Sequence, residues 1–306
     1  MPGKPILLTA AQRRRRNNLA AYAFMSPWFI GFLCFSVFPI VFLFYTSLTN
    51  RKLIGAQAYI GLKNYANIFK SATALNSLCV TVGFTVAMMV ITAIWALIMA
   101  LLLNREQKGN TFFQFCYFLP AVVPSVALAY AFKMILGNDT GILNYILSLL
   151  SGKRVLVNWL YDQSTVYPAV FFVTLFTYST GQMMLIFRSG LKDVPKELYE
   201  ASDIDGASAL CKFRHITMPM ISPVVLFNTV MGSISALNGS FALLYPLTNG
   251  NPNGMTNVLS LLIYKEAFLN YKVGYGSALS VLLFLIAAAL AGLLFALSKK
   301  FVFYET

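Results

Sequence analysis

Long uncharged stretches alternate with short charged ones along nearly the whole chain. The uncharged runs are Asn17–Asn50, Ser71–Asn104, Gly109–Phe132, Gln163–Phe187, His215–Tyr264 and Val273–Ser298. About 20 apolar residues of helix cross a bilayer core, and every run is far beyond strand length. Five runs suit one crossing each. The run His215–Tyr264 is too long for one, and it breaks up at Pro246 and at Asn249-Gly250-Asn251-Pro252-Asn253-Gly254, which is turn chemistry. It therefore supplies one helix followed by an aqueous loop. The pattern predicts an all-α, polytopic membrane protein with six spans: about Tyr22–Leu48, Leu75–Leu103, Phe112–Phe132, Pro168–Phe187, Met220–Leu244 and Gly276–Leu297. Pro27, Pro39, Pro120 and Pro124 stand inside the first and third spans, where proline bends a helix and frees carbonyls. Gly141–Leu150, in the loop after the third span, reads as a short interfacial helix.

Composition agrees with a lipid-facing surface. The chain is 58% hydrophobic and 11% charged, against roughly 25% charged residues in soluble domains. Arg13-Arg14-Arg15-Arg16 precedes the first span and Lys299-Lys300 follows the last, so the positive-inside rule predicts cytoplasmic N and C termini. On that topology 14 Lys and Arg residues lie inside and 8 outside, with Lys133 at a span end, where it reads as a snorkelling lysine. Residues 1–19 then form a basic cytoplasmic segment and 20–306 the membrane domain. The net charge of +13 is a matter of topology, not of nucleic-acid binding, since no folded basic domain with interleaved aromatics accompanies it. The first apolar stretch is too long for a cleavable signal peptide. Cys34, Cys79, Cys116 and Cys211 stand singly, without metal or disulfide spacing.

One polar segment interrupts this pattern. Leu191–Pro219 holds five of the ten acidic residues: Asp193, Glu197, Glu200, Asp203 and Asp205. Pro195 suits a first helical turn, with Asp193 placed to cap it, so Pro195–Ile204 reads as a helix. On it Leu198 and Ala201 share one face, while Glu197, Glu200 and Asp203 lie toward the other. Gly206 supplies a turn, and Ala207–His215 a second short helix carrying Leu210 and Phe213. Charge alone would leave this an ordinary solvated connector. The spacing says more: Glu200-Ala201-Ser202, three residues, Gly206, nine residues, then Ile216-Thr217-Met218-Pro219.

That spacing resembles the cytoplasmic coupling loop of permeases from binding-protein-dependent ABC importers, with Ser202 and Met218 departing from the family's Ala and Leu. The segments Ser26-Pro27, Gly61-Leu62-Lys63-Asn64-Tyr65, Asp205-Gly206-Ala207, Leu247-Thr248-Asn249-Gly250 and Gly274-Tyr275-Gly276 look like the carbohydrate-uptake branch, first-subunit type. That branch imports oligosaccharides, disaccharides and glycerol-3-phosphate. The extra N-terminal spans of the maltose permease's larger subunit have no counterpart in these residues. The resemblance implies a type I ABC importer permease fold with a transmembrane core over about 71–298 and a coupling loop at 191–219. It implies that Glu200, Ala201, Ser202, Asp205, Gly206 and Ala207 meet an ATPase. It also implies four kinds of partner: a second permease subunit, two ABC ATPase subunits, an extracytoplasmic solute-binding protein and membrane lipid. The setting would be a bacterial or archaeal cytoplasmic membrane.

The chain has no G-x-x-x-x-G-K-[S/T] motif, and its one histidine, His215, has no acid–base or nucleophile constellation around it. No cofactor or metal is therefore expected here, with ATP and magnesium held by partner subunits, and a membrane-embedded enzyme finds no support. Polar residues inside spans are candidates for a solute pathway: Tyr178 and Gln182 in span four, and Asn228, Ser235 and Asn238 in span five, with Ser179, Thr180, Ser233 and Ser240 nearby. Small polar residues also let membrane helices pack closely, which competes with that reading. The lack of deep ionisable residues suits a neutral solute and speaks against a proton-coupled secondary transporter; a sodium-coupled carrier of a small polar solute stays open.

Overall fold

The computed structural model describes residues 10–52, 54–55, 57–104, 108–139, 141–176 and 178–301. Long apolar runs satisfy their own backbone by coiling. They do so here as α1 (Ala10–Phe32), α2 (Phe38–Ser47), α3 (Lys63–Lys70), α4 (Ala72–Leu103), α5 (Asn110–Val122), α6 (Ser125–Ile135), α7 (Ile142–Ser151) and α8 (Val166–Thr174). The second half comprises α9 (Tyr178–Lys192), α10 (Lys196–Ile204), α11 (Ala209–Lys212), α12 (Met218–Met220), α13 (Ser222–Leu247), α14 (Leu259–Tyr264) and α15 (Val273–Phe301). Among the described residues the only extended pairing is an isolated bridge between Thr49 and Tyr59. The arginine run lies within α1, so the described part of the basic N-terminal segment is helical and continuous with the first apolar stretch.

Among the described residues, four helical stretches are long and apolar enough to cross a membrane: Asn17–Ser47, Ala72–Leu103, Ser222–Leu247 and Val273–Ser298. The expected third span is not one helix. It bends by 103° between α5 and α6. Pro124 explains the break, because proline drives the residue before it out of helical geometry; Val123 sits at φ −76°, ψ 131°. The expected fourth span is divided between α8 and α9, with Leu175 and Phe176 in a turn after α8; Thr177 lies outside the described residues. Thr180 Oγ1 donates to the Leu175 carbonyl at 2.7 Å and so satisfies an acceptor that the break sets free. The helix at Gly141–Leu150 is present as α7.

α4 is the spine. It packs along α9 and α13, with α5 on the far side of α9 and α6 and α15 against α13. One apolar cluster, with Phe84, Met88, Val170, Leu243 and Leu244, fills one half of the molecule; a second, with Ala96, Ala100, Met184, Phe187 and Ile221, fills the half nearer the 191–219 segment. A third joins Ile68 and Ala74 to Leu259 and Leu279. α2 packs on α15, whereas only 6% of the most apolar 18-residue window of the Asn17–Ser47 stretch is buried, against 33% of the corresponding window of α13. Lipid or another chain must therefore cover α1.

α13 runs to Leu247, past the expected end at Leu244. Lys133, half-buried near the span end, donates its ammonium to the Pro246 carbonyl at 3.0 Å, placing a cation at the C-terminal end of α13. The Asn/Gly/Pro loop beyond it is pinned to α4, not free in solvent. Asn257 Nδ2 donates to Ser77 Oγ at 2.8 Å, and the Leu259 N–H to Thr81 Oγ1 at 2.7 Å, all in buried positions. Thr81→Val keeps the shape but strips the Leu259 N–H of its acceptor, which costs about 1–3 kcal/mol. Thermal unfolding in detergent is expected to drop by several degrees for Thr81→Val and to recover with Thr81→Ser. Equal melting of wild type and Thr81→Val would show that this contact does not hold the loop.

Candidate functional site

The segment after α9 folds as the sequence predicts in outline. α10 begins behind Pro195, whose missing N–H costs nothing there. The Asp193 cap is not made: no side chain caps α10. At the other end Gly206 has φ +70°, its N–H bonds the Asp203 carbonyl at 3.1 Å, and the Ala207 N–H bonds the Ser202 carbonyl at 2.9 Å. These paired bonds close the helix in a Schellman turn, which needs a left-handed residue and therefore favours glycine. Ser208 then caps α11, accepting from the Cys211 N–H. The expected second helix, Ala207–His215, is regular only over Ala209–Lys212 and widens into a π turn over Phe213–Thr217. Pro219 is the cause at hand, since its ring nitrogen cannot continue the α-helical ladder.

The two faces of α10 differ from the sequence expectation. Tyr199 and Ser202 turn inward, while Leu198 and Ala201 stay on the open side. The Tyr199 hydroxyl lies 2.8 Å from Thr217 Oγ1, which is buried at the entry to α12 and α13. Tyr199, Ile216 and Val224 pack on the cluster of Met184, Phe187, Leu191 and Val194. α9 and α13 meet so closely here that a Cβ on Gly190 would stand 2.7 Å from Val224 Cγ2. The open side presents Glu200, Ala201, Asp205 and Gly206 to solvent, with Ser202 and Ala207 half-buried behind them. Ile204 is 88% exposed and Leu210 75%, two apolar tips flanking the glycine turn. Lys212 pairs with Asp203 and ties α11 to α10. Ile204, Leu210 and the Tyr199 anchor are not in the spacing motif; only the apolar identity of the first two, in an acidic segment, marks them in the sequence.

The pathway candidates are partly brought together. Gln182, Asn228 and Ser235 line one recess between α9 and α13, with Met183, Ile186 and Met231. The recess holds only about 10 Å³, at the lower limit for one water. Asn228 is fully buried; its Nδ2 donates to the Met183 carbonyl at 3.2 Å, and its Oδ1 has no partner among the described residues. Asn238 is exposed and lies away from the recess. The Tyr178 and Ser179 side chains lie outside the described residues. Thr180, Ser233 and Ser240 donate to nearby backbone carbonyls, and two of them also bridge helices, Thr180 to Tyr117 on α5 and Ser240 to Ser260 on α14.

Comparison with known proteins fits this arrangement. Residues 93–302 match the family described as "Binding-protein-dependent transport system inner membrane component". The chain is 33% identical over 296 residues to a Bacillus subtilis (strain 168) protein described as "Probable ABC transporter permease protein YesP", covering 95% of this chain and 94% of that one. It is 31% identical over 280 residues to the trehalose/maltose transport system permease protein of Thermococcus litoralis, covering 91% and 93%. Its fold matches a crystal structure of a bacterial ABC transporter involved in the import of the acidic polysaccharide alginate, with a TM-score of 0.83 over 95% of this chain and 99% of that chain, at 19% identity. The two short helices around Gly206, packed on helices that enclose a polar recess, thus stand on a known framework: the chain belongs to the inner-membrane components of binding-protein-dependent transport systems, the permeases of ABC importers.

Proposed function

We propose that this permease forms half of a translocation pathway for a neutral sugar or oligosaccharide. It would pair with a second permease, two ATPases that hold ATP and magnesium, and an extracytoplasmic solute-binding protein. Six spans with both termini cytoplasmic are part of the proposal, with the α5–α6 pair and the α8–α9 pair counted as one span each. The relatives' descriptions support the solute class: trehalose/maltose in Thermococcus litoralis and arabinooligosaccharides in Bacillus subtilis. The alginate transporter structure in complex with a periplasmic protein supports the external partner.

The observation that carries the reading is the two-sidedness of the α10–Gly206–α11 unit. Its outer side offers Glu200, Ala201, Gly206, Ile204 and Leu210 without cover, and its inner side is bonded and packed to the cluster shared by α4, α9 and α13. An ATPase cleft gripping the outer side would move α10 as a rigid body, and the Tyr199–Thr217 link would carry that movement to the start of α13. Separating α9 from α13 would break the Asn228–Met183 bond and enlarge the recess toward the ~300–1,000 Å³ that small-molecule sites have. The recess is lined by amides, a hydroxyl and thioethers without charge, which suits a neutral solute.

Affinity purification of the tagged chain from its native membrane is expected to bring an ATPase and a second permease; recovery of the chain alone would favour an ion-coupled carrier. In a reconstituted transporter, Gly206→Asp and Glu200→Arg are expected to cut solute-stimulated ATP hydrolysis and uptake by about tenfold or more, within the range of typical coupling energies. Wild-type rates in both variants would remove the coupling role from this segment. Tyr199→Phe is expected to leave ATPase binding intact while lowering uptake per ATP hydrolysed.

A further inference from the structure

A cavity of about 620 Å³ lies between the end of α9 and the starts of α5 and α10. Tyr199 borders it, so it opens on the inner side of the α10–Gly206–α11 unit, and none of Glu200, Ala201 and Gly206 on the open side takes part in it. Its cations are Arg188 and Lys192 on α9 and Lys196 in the first turn of α10. Among the described residues no carboxylate lines the cavity, and none of the three cations has a carboxylate partner. Glu106, in the loop before α5, lies outside the described residues.

The walls offer donors with no acceptors to match. Arg188 spends Nη1 on Gln114 Oε1, a bond that crosses from α9 to α5. That leaves Arg188 Nε and Gln114 Nε2, both buried and both without an acceptor among the described residues. A buried donor left unpaired is destabilising, so the two point to an acceptor from outside the chain. A water molecule could serve one of them but would leave three cations unanswered. α5 begins at Asn110 and Thr111 and α10 at Lys196, all in the wall, so two helices bring their positive ends to the same space. The wall is also held in place: Asn110 Nδ2 donates to the Leu103 carbonyl at 2.6 Å, and Tyr199 is fixed by Thr217. Groups already ordered lose little freedom on meeting a ligand.

We infer that this cavity binds a phosphate group, carried by a soluble phosphate ester or by the headgroup of a membrane phospholipid. A carboxylate brings one charge and two oxygens, whereas a phosphate monoester brings about −1.5 to −2 charges and three acceptor oxygens, which suits three cations and two stranded donors better. The guanidinium of Arg188 is a planar fork fitted to such an oxyanion. The cavity has the size of a small-molecule site, about 300–1,000 Å³, so an organic group fits beside the phosphate. Phe112 and Phe115, next in sequence to Thr111 and Gln114 of the wall, are exposed and would take a lipid tail. Bound there, the phosphate would bridge α5, α9 and the base of α10. The inference stands apart from the solute and from the coupling role proposed above.

The test uses the full transporter in maltoside detergent. Two quantities are measured: binding of radiolabelled inorganic phosphate, and phospholipid phosphorus retained on the purified protein. Wild type is expected to exceed Arg188→Gln and Lys192→Gln/Lys196→Gln in their sum, with affinity for the label about tenfold or more weaker in each variant. Phosphate sites on the ATPases are common to all three proteins and cancel. The two lysines are exposed, so a loss in that variant at unchanged melting temperature separates charge from misfolding. Added phosphatidylglycerol that displaces the label assigns the site to a lipid headgroup; label that stays assigns it to a soluble phosphate ester. Equal values of both quantities in wild type and the two variants overturn the inference. Phosphate binding that appears only in Glu106→Gln also overturns it, by giving the cavity to that carboxylate.

Discussion

Inside a bilayer there is no water to bond a free backbone group, and the rest of this structure follows from that constraint. An unbroken helix meets it automatically, and α4 is such a helix over 32 residues. A transporter also needs breaks, and each break must find a partner from the protein. Thr180 serves the carbonyl freed between α8 and α9. Thr81 serves the N–H at the start of α14, and Lys133 the carbonyl near the end of α13. Asn228 reaches across to a carbonyl on α9. Polar side chains in this membrane domain are therefore mostly substitutes for water, placed where the helical ladder fails.

Much of the fold was legible in the pattern of charge and apolarity. α4, α13 and α15 lie close to the expected spans because uninterrupted apolar runs leave few alternatives. The 103° turn at Val123–Pro124 was not legible. Proline announces a bend, but its size depends on what the two halves pack against, and α6 finds α13 while α5 finds α9. The turn after α10 was legible through spacing because it is a backbone motif with one glycine, Gly206, at a fixed place. Which face of α10 points inward was not: Tyr199 is amphipathic and Leu198 apolar, and the choice between them was settled by Thr217, distant in sequence. The carbonyl contact of Lys133 was not legible for a related reason, since its partner lies more than a hundred residues away.

The polar recess and the α10–Gly206–α11 unit share the same two helices. Both are built on α9 and α13, and these helices approach each other closely at two places: an added Cβ would stand 2.7 Å from Val224 at Gly190 and 2.5 Å from Met183 at Gly232. The second contact lies beside the recess, where Asn228 also bonds the Met183 carbonyl, so the pair is held at both ends.

α1 obeys a different rule. α2 is clamped to α15, but the stretch before it touches little of the body and is joined through a π turn at Leu33–Val37. In mechanical terms it is a cantilever. α10 is bonded and packed to the cluster shared by α4, α9 and α13, not to α1, so a change in α1 leaves that packing untouched.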